Sequence, residues 1–192
     1  MTTLKDAFRI AALMMLAAPA VAQAEASEPA GRIGAYDDAV IQVMKAKLGL
    51  AARADRFEPI VKAYYDMPAI AGLVAGPAWA SASAADKAAA ITALTRHSAV
   101  SLARNFTSYD GTPFTVDPKV IARGPDRVAK VTIGKDVLFY RMRQSAGTWK
   151  IVDVISSGVS NLALQRADLA TTIQGGGLPA LVKKLGQLDA MK

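Results

Sequence analysis

Residues 149–160 read Trp149-Lys150-Ile151-Val152-Asp153-Val154-Ile155-Ser156-Ser157-Gly158-Val159-Ser160. Apolar side chains dominate the first seven positions, which is typical of a strand. Gly158 permits a sharp reversal of the chain, and the hydroxyl of Ser160 is placed to cap a helix that follows. The stretch therefore predicts a strand, a glycine-containing turn and the start of a helix.

Three more candidate strands precede this one. The four predicted strands are 114–123, 127–133, 137–143 and 149–155. Short Gly-containing segments join them, and tight connections of this kind favour antiparallel pairing between consecutive strands. Pro118 interrupts the first strand and is compatible with a sheet edge or a bulge. The sequence thus predicts a four-stranded antiparallel meander.

The last two strands carry apolar residues on both faces. In strand 149–155, strict alternation places Val152 and Val154 on the face opposite Ile151. A meander with one solvated face should alternate apolar and polar residues cleanly, and neither this strand nor 137–143 does so. We expect one face to pack on the longest helix, and the other face to need a cover, a partner or a ligand.

Helical periodicity flanks the meander on both sides. The predicted helices are 37–48, 53–65, 69–74, about 83–109, 160–173 and 179–188. Ser83 followed by Asp86 is a capping signature for the longest helix, and the three glycines at 175–177 predict a break before the last one. Helices, then a meander, then helices indicate an α+β fold.

The first 24 residues have the composition of an export signal. Lys5 and Arg9 precede a short apolar run at 10–18, and Ala22-Gln23-Ala24 fits a cleavage site. The run is shorter than the roughly 20 residues that span a bilayer. We expect cleavage after Ala24 and export. The predicted organisation is a signal peptide at 1–24, a flexible lead-in at 25–36 and one domain at 37–192.

Composition excludes several classes of protein. The chain has no cysteine, so disulfides and thiolate chemistry are excluded. The net charge is +7, but the basic residues are scattered and no aromatic residues interleave them, so we predict no nucleic-acid binding. The one histidine, His97, leaves too few ligands for a zinc site. We expect no metal and no cofactor.

Three side chains are candidates for acid–base chemistry. His97 has no orienting acid or nucleophile near it in sequence, and we interpret it as structural or solvent-facing. Asp66 beside Tyr64-Tyr65 is either part of a proton-transfer cluster or the cap of the next helix. Asp153 lies among apolar residues, where it is either desolvated with a raised pKa or paired with Arg141 or Arg143 across the strands.

The order of motifs resembles the MlaC family, also described as toluene-tolerance auxiliary lipid-binding proteins. The motifs that carry this resemblance are Arg56-Phe57, Ile60-Val61, Tyr65-Asp66, Gly76-Pro77-Ala78-Trp79, Asn105-Phe106, Tyr109-Asp110-Gly111, Tyr140-Arg141, Trp149-Lys150, Asp153-Val154, Gly158-Val159-Ser160 and Arg166. Ser157 stands where the family usually has an acid, and Leu164-Gln165-Arg166 replaces its Asn-Tyr-Arg stretch. Residues 100–111, which include Asn105-Phe106 and Ser108-Tyr109-Asp110-Gly111, and the stretch Leu164-Gln165-Arg166-Ala167-Asp168 resemble the hopanoid-associated HpnM branch.

The resemblance implies a periplasmic carrier that is not an enzyme. Such a carrier would bind a phospholipid or a hopanoid in an apolar cavity and work as a monomer. It would exchange lipid with an inner-membrane ABC-type complex and an outer-membrane lipoprotein complex, and so act in outer-membrane lipid asymmetry.

We expect the cavity to lie between the meander and the helices. The predicted lining residues are Phe57, Val61, Tyr64, Leu73, Leu102, Phe106, Val131, Leu138, Tyr140, Val152 and Val154. Two alternatives stay open at this level. One is a pocket enzyme of similar fold that acts on an apolar substrate through Asp66 or Asp153 and a tyrosine. The other is an adaptor of a transport complex, with a filled core and an exposed apolar patch.

Overall fold

A computed structural model describes residues 28–190. Six helices and a six-stranded antiparallel sheet form the α+β fold that the sequence predicts. In chain order they are α1 (Pro29–Lys45), α2 (Leu50–Tyr64), α3 (Met67–Ala75), α4 (Pro77–Ser81), α5 (Ala84–Asn105), β1 (Phe114–Val116), β2 (Ile121–Arg123), β3 (Asp126–Ile133), β4 (Asp136–Ser145), β5 (Thr148–Ser156), β6 (Val159–Ser160) and α6 (Asn161–Ala190). The predicted signal peptide and its cleavage site lie outside the described residues.

The first helix begins earlier than predicted. It starts at Pro29, in the first turn where a proline is tolerated, so most of the expected lead-in at 25–36 is helical. Ile33, Tyr36 and Val40 are at most 1% exposed and follow each other at helical spacing. Asp37, which was expected to start the helix, therefore lies in its middle.

Helix α5, which the sequence predicted to be the longest, begins and ends at identifiable caps. The amide of Asp86 donates to the hydroxyl of Ser83 at 3.0 Å, which confirms the capping signature. The helix ends at Asn105, earlier than the predicted Tyr109. Nε of Arg53 donates to the carbonyl of Ala103 at 2.7 Å, and so satisfies one of the free carbonyls of the last turn.

The sheet has two more strands than predicted. Residues 114–123 form two short strands, β1 and β2, and both pair with β3. Pro118, which has no amide hydrogen to donate, lies in the gap between them. From β3 the sheet continues through β4 and β5 to the two-residue strand β6. The four predicted strands are otherwise present in the predicted antiparallel order.

A β-bulge in β5 changes which side chains share a face. Arg141 pairs with Asp153 and Met142 pairs with Ile151, so Val152 is an extra residue on β5. Residues that face each other across an antiparallel pair point to the same side. Ile151 consequently lies on the same face as Val154, which pairs with Tyr140, and the strict alternation assumed from the sequence is wrong here.

The sheet packs on α1 and α6 rather than on α5, which corrects the expectation that the helix predicted to be longest covers it. The rings of Tyr36 on α1 and Tyr140 on β4 lie 5.7 Å apart, edge to face. Helix α5 instead packs between α2 and α6. Helix α6 bends at Gly176 and Gly177, and Gly177 has φ +63°, a conformation that favours glycine. The predicted break at 175–177 is confirmed.

Candidate functional site

Two grooves flank the first turns of α6. The larger, about 540 Å³, is here called the arginine groove, and the other, about 350 Å³, the α5–α6 groove. The arginine groove is lined by Leu73, Arg141, Arg143, Ser160, Leu162, Ala163, Arg166, Ala167 and Ala170. The α5–α6 groove is lined by Tyr65, Ile70, His97, Ser98, Ser101, Leu102, Asn105, Asp153, Val154, Asn161, Leu162, Leu164, Gln165, Asp168, Leu169 and Leu188. Both volumes fall within the range of small-ligand sites, about 300–1,000 Å³.

Asp153 fixes the start of α6 between the two grooves. Its Oδ1 accepts a hydrogen bond from the amide of Leu162 at 3.0 Å, and its Oδ2 accepts one from the hydroxyl of Ser160 at 2.7 Å. The hydroxyl of Ser160 in turn accepts from the amide of Ala163 at 3.0 Å, which confirms the predicted cap. Nη2 of Arg141 lies 3.7 Å from Oδ2 of Asp153, so the predicted cross-strand pair is confirmed as well.

A second carboxylate, Asp126, holds the arginines of β4. Nε and Nη2 of Arg143 donate to its two oxygens at 2.6 and 3.0 Å, and Nη1 of Arg141 donates to Oδ2 at 3.2 Å. The hydrogen bonds from Arg143 contribute most to holding the pKa of Asp126 below its usual value. The forked pairing fixes the direction of the Arg143 guanidinium.

Four tyrosines form a cluster, and one of them, Tyr65, lines the α5–α6 groove. The ring of Tyr36 lies within 5.5–5.8 Å of the rings of Tyr64, Tyr65 and Tyr140. The hydroxyls of Tyr36 and Tyr65 are 3.0 Å apart and share a hydrogen bond. Burial raises the pKa of Tyr65 to about 12, and it raises the pKa of Tyr36 and of Tyr140 well above the ordinary value.

Asp37 lies next to the tyrosine cluster without a partner. Asp37 is 3% exposed, and neither of its carboxyl oxygens has a hydrogen-bond partner within residues 28–190. Burial, with a smaller contribution from the neighbouring Asp38, raises the pKa of Asp37 from 3.8 to about 7. The proton stays on this carboxyl well above the pH at which an exposed aspartate would lose it.

The structure gives structural roles to two more of the acid–base candidates. Oδ1 of Asp66 accepts from the amide of Ala69 at 3.1 Å and caps α3. Nδ1 of His97 and Oδ1 of Asp189 are 2.6 Å apart, and this contact joins α5 to the end of α6. Asp66 thus takes the capping alternative, and His97 is among the residues that line the α5–α6 groove.

The predicted lining residues divide among the core and the two grooves. Leu102 and Val154 line the α5–α6 groove, and Leu73 lines the arginine groove. The other eight lie in neither groove lining. Five of these are at most 2% exposed, namely Phe57, Val61, Val131, Tyr140 and Val152, and three are half-buried, namely Tyr64, Phe106 and Leu138.

The sequence interpretation missed most of the polar groove lining. His97, Ser98, Ser101 and Asn105 form one polar stripe on α5, and their spacing follows the helical repeat. The sequence contains this spacing next to the apolar positions of the same helix, so the polar stripe could have been predicted. Nothing local in the sequence places Arg166 on α6 with Arg141 and Arg143 on β4, because that grouping depends on how α6 crosses the sheet.

Neither a metal site nor a membrane-spanning helix occurs within residues 28–190. In that range no group of three or more His, Asp or Glu side chains is arranged to hold a metal ion. The helices of the same range are each too short or too polar to cross a bilayer.

The fold and its grooves define an α+β protein with amphipathic sites at the junction of a sheet and a long bent helix. A family model described as "MlaC protein" matches residues 35–187. The chain belongs to the MlaC family, as its motifs indicated. No curated protein matches it in sequence.

Among solved structures, the chain is similar to a phospholipid-binding protein from Ralstonia solanacearum in complex with a phospholipid. The TM-score is 0.65 at 20% identity, and the match covers 83% of this chain and 96% of that one. This likeness supports the common fold.

Proposed function

We propose that this protein is a lipid-binding carrier. The observation that supports it most is the match to the fold of a phospholipid-binding protein over 96% of that protein's length, together with membership of the MlaC family. The α5–α6 groove offers an apolar surface for a lipid tail, formed by Ile70, Leu102, Val154, Leu162, Leu164, Leu169 and Leu188. The polar stripe on α5 lines the same groove.

The physical need for such a carrier follows from the cost of moving an acyl chain through water. Each buried methylene gains about 0.8 kcal/mol, so a chain of about 16 methylenes gains on the order of 13 kcal/mol. A lipid left alone therefore leaves a bilayer very slowly. A protein that covers the tail during transfer removes most of this cost without any covalent step.

The acids that an enzyme of this fold would use are already engaged. Asp66 caps α3, and both oxygens of Asp153 accept hydrogen bonds at the start of α6. A carboxyl that holds the start of a helix in place has a structural role that accounts for its position without catalysis. These contacts favour the carrier over the pocket enzyme that the sequence left open.

We infer the compartment and the partners from the N-terminal sequence and the family. The protein would be exported, cleaved after Ala24, and would exchange lipid in the periplasm with an inner-membrane ABC-type complex and an outer-membrane lipoprotein complex. Intact mass spectrometry of protein recovered from the periplasm should give a chain that begins at Glu25. An intact Met1 in the exported protein would contradict this.

Native mass spectrometry with lipid extraction tests the carrier function directly. Purified protein should release bound lipid, and delipidated protein should take up a phospholipid or a hopanoid probe. The probe that is taken up also distinguishes a phospholipid carrier from one of the hopanoid-associated branch. Finding no bound lipid and no uptake of either probe would refute the proposal.

A matched pair of variants connects uptake to the groove. Leu102→Gln places a polar group in the α5–α6 groove and should lower lipid uptake about tenfold, since burying an unpaired polar group costs about 1–3 kcal/mol. Ile121→Gln makes the same kind of change at an exposed position on β2 and should leave uptake unchanged. Equal uptake by the two variants would place the lipid elsewhere.

A further inference from the structure

The arginine groove has a strongly one-sided charge. Its lining contains Arg141, Arg143 and Arg166 and no acidic residue. The α5–α6 groove on the other side of the α6 start contains Asp153 and Asp168 and neither lysine nor arginine. An anionic group is therefore attracted to one groove and repelled by the other.

The carboxylates around the β4 arginines are engaged in further contacts. Asp126 and Asp153 form ion pairs with Arg141 or Arg143, and Asp66 attracts the Arg143 guanidinium without an ion-pair contact. Both oxygens of Asp126 already accept from Arg143, and those of Asp153 accept from the start of α6. These contacts hold the β4 guanidiniums in place and leave part of their donor capacity unused, since each guanidinium has five N–H donors.

Arg166 is the arginine of this groove whose guanidinium forms no ion pair with a carboxylate within residues 28–190. It is exposed on α6. A methyl group placed on Gly76 would lie 3.7 Å from Nη2 of Arg166, so the guanidinium lies over the break between α3 and α4. Planar guanidinium groups bind phosphate oxygens through paired hydrogen bonds.

The two grooves share one lining residue. Leu162 lines both of them, so they lie on either side of the first turn of α6, and a molecule with an apolar part and an anionic part would reach both by crossing that turn. The tail would lie on the side of Leu102 and Val154, and the anionic group on the side of the arginines. The cap on α6 is occupied by Asp153 and Ser160, so the helix terminus itself is not the anion site.

We propose that Arg141, Arg143 and Arg166 bind the phosphate of the carried lipid, so that the protein selects phosphodiester lipids over uncharged lipids with the same chains. This inference depends on the proposed carrier function. It adds a headgroup site to it and predicts a selectivity that the apolar groove alone would not give.

A comparison of two soluble probes tests this selectivity. Dioctanoyl phosphatidylglycerol and dioctanoylglycerol have the same tails and differ in the phosphate headgroup. The full delipidated chain should bind the phosphate-containing probe at least about tenfold more tightly, which corresponds to about 1.4 kcal/mol, because dioctanoylglycerol cannot accept the charged hydrogen bonds from the arginines. Isothermal titration calorimetry measures both affinities.

Two arginine variants assign the selectivity to the groove. Arg166→Gln should reduce the preference for the phosphate-containing probe by about tenfold and leave the affinity for dioctanoylglycerol unchanged. Arg123→Gln removes the same charge from an exposed position on β2 and should keep the preference. Both residues are exposed, so both variants should fold.

The possible outcomes separate this inference from the carrier function. If neither probe binds, the carrier function fails. If both bind equally well, or if Arg123→Gln has the same effect as Arg166→Gln, the headgroup site is refuted while the carrier function stands. If millimolar inorganic phosphate binds to the protein and does not displace the bound lipid probe, the groove is a site for free phosphate. If Arg166→Gln loses binding to phosphatidylglycerol vesicles but keeps the wild-type preference between the two probes, the arginines dock the protein on a membrane. Each of these last two results overturns the proposal.

Discussion

Asp37→Asn should remove a pH dependence of stability that the buried carboxyl creates. The pKa of Asp37 is raised from 3.8 to about 7, chiefly by burial. In the unfolded chain the carboxyl ionises above about pH 4, whereas in the folded chain it keeps its proton until about pH 7. Its contribution to stability is therefore complete in acid and is lost as the pH rises through this interval.

The size of the effect follows from the shift. A shift of about three pKa units corresponds to about 4 kcal/mol of unfolding free energy, at about 1.4 kcal/mol per unit. Asp37→Asn cannot ionise. The stability of the variant relative to the wild type should therefore rise by up to about 4 kcal/mol between pH 4 and pH 8.

Urea unfolding of both proteins at several pH values measures this difference. Asp136→Asn is the control, because it removes a carboxyl from an exposed position on β4 that does not contribute to the raised pKa of Asp37, and its difference from the wild type should change much less with pH. A constant difference between Asp37→Asn and the wild type from pH 4 to pH 8 would refute the reasoning, since it would mean that the carboxyl ionises normally in the folded protein.

Two further substitutions test the structure of α6. A β-carbon on Gly176 would lie 2.7 Å from that of Ala180, so Gly176→Ala should destabilise the protein by about 1–3 kcal/mol. As the control, a β-carbon on Gly175 would meet nothing within 4 Å, so Gly175→Ala should be neutral or stabilising by up to about 1 kcal/mol. Equal melting temperatures for the two variants would contradict the bend. Asp153→Asn weakens the cap and the ion pair at the start of α6, which should cost about 1–3 kcal/mol in denaturant unfolding. Asp168→Asn, on the exposed side of the same helix, should cost little, and a similar loss in both variants would argue against the cap.

The capping residues and the glycine break were predictable because their physics is local. The cap at Ser83 depends on an amide three residues away, and the bend at 175–177 depends on glycines in the bend itself. The predicted lining residues depend instead on contacts between distant parts of the chain. Phe57, Val61 and Val131 are apolar in either a core or a cavity, and the sequence does not record which neighbours close over them.

The sequence by itself determined the α+β order, the antiparallel pairing and the family, because periodicity, turn residues and motif order are properties of adjacent positions. The tertiary structure decided three further features. The bulge at Val152 placed Ile151 and Val154 on one face, the packing of α1 on the sheet buried Asp37, and the path of α6 brought Arg166 to Arg141 and Arg143. Each of these depends on contacts between segments distant in the chain, whose free energies are set by packing and desolvation rather than by local preference.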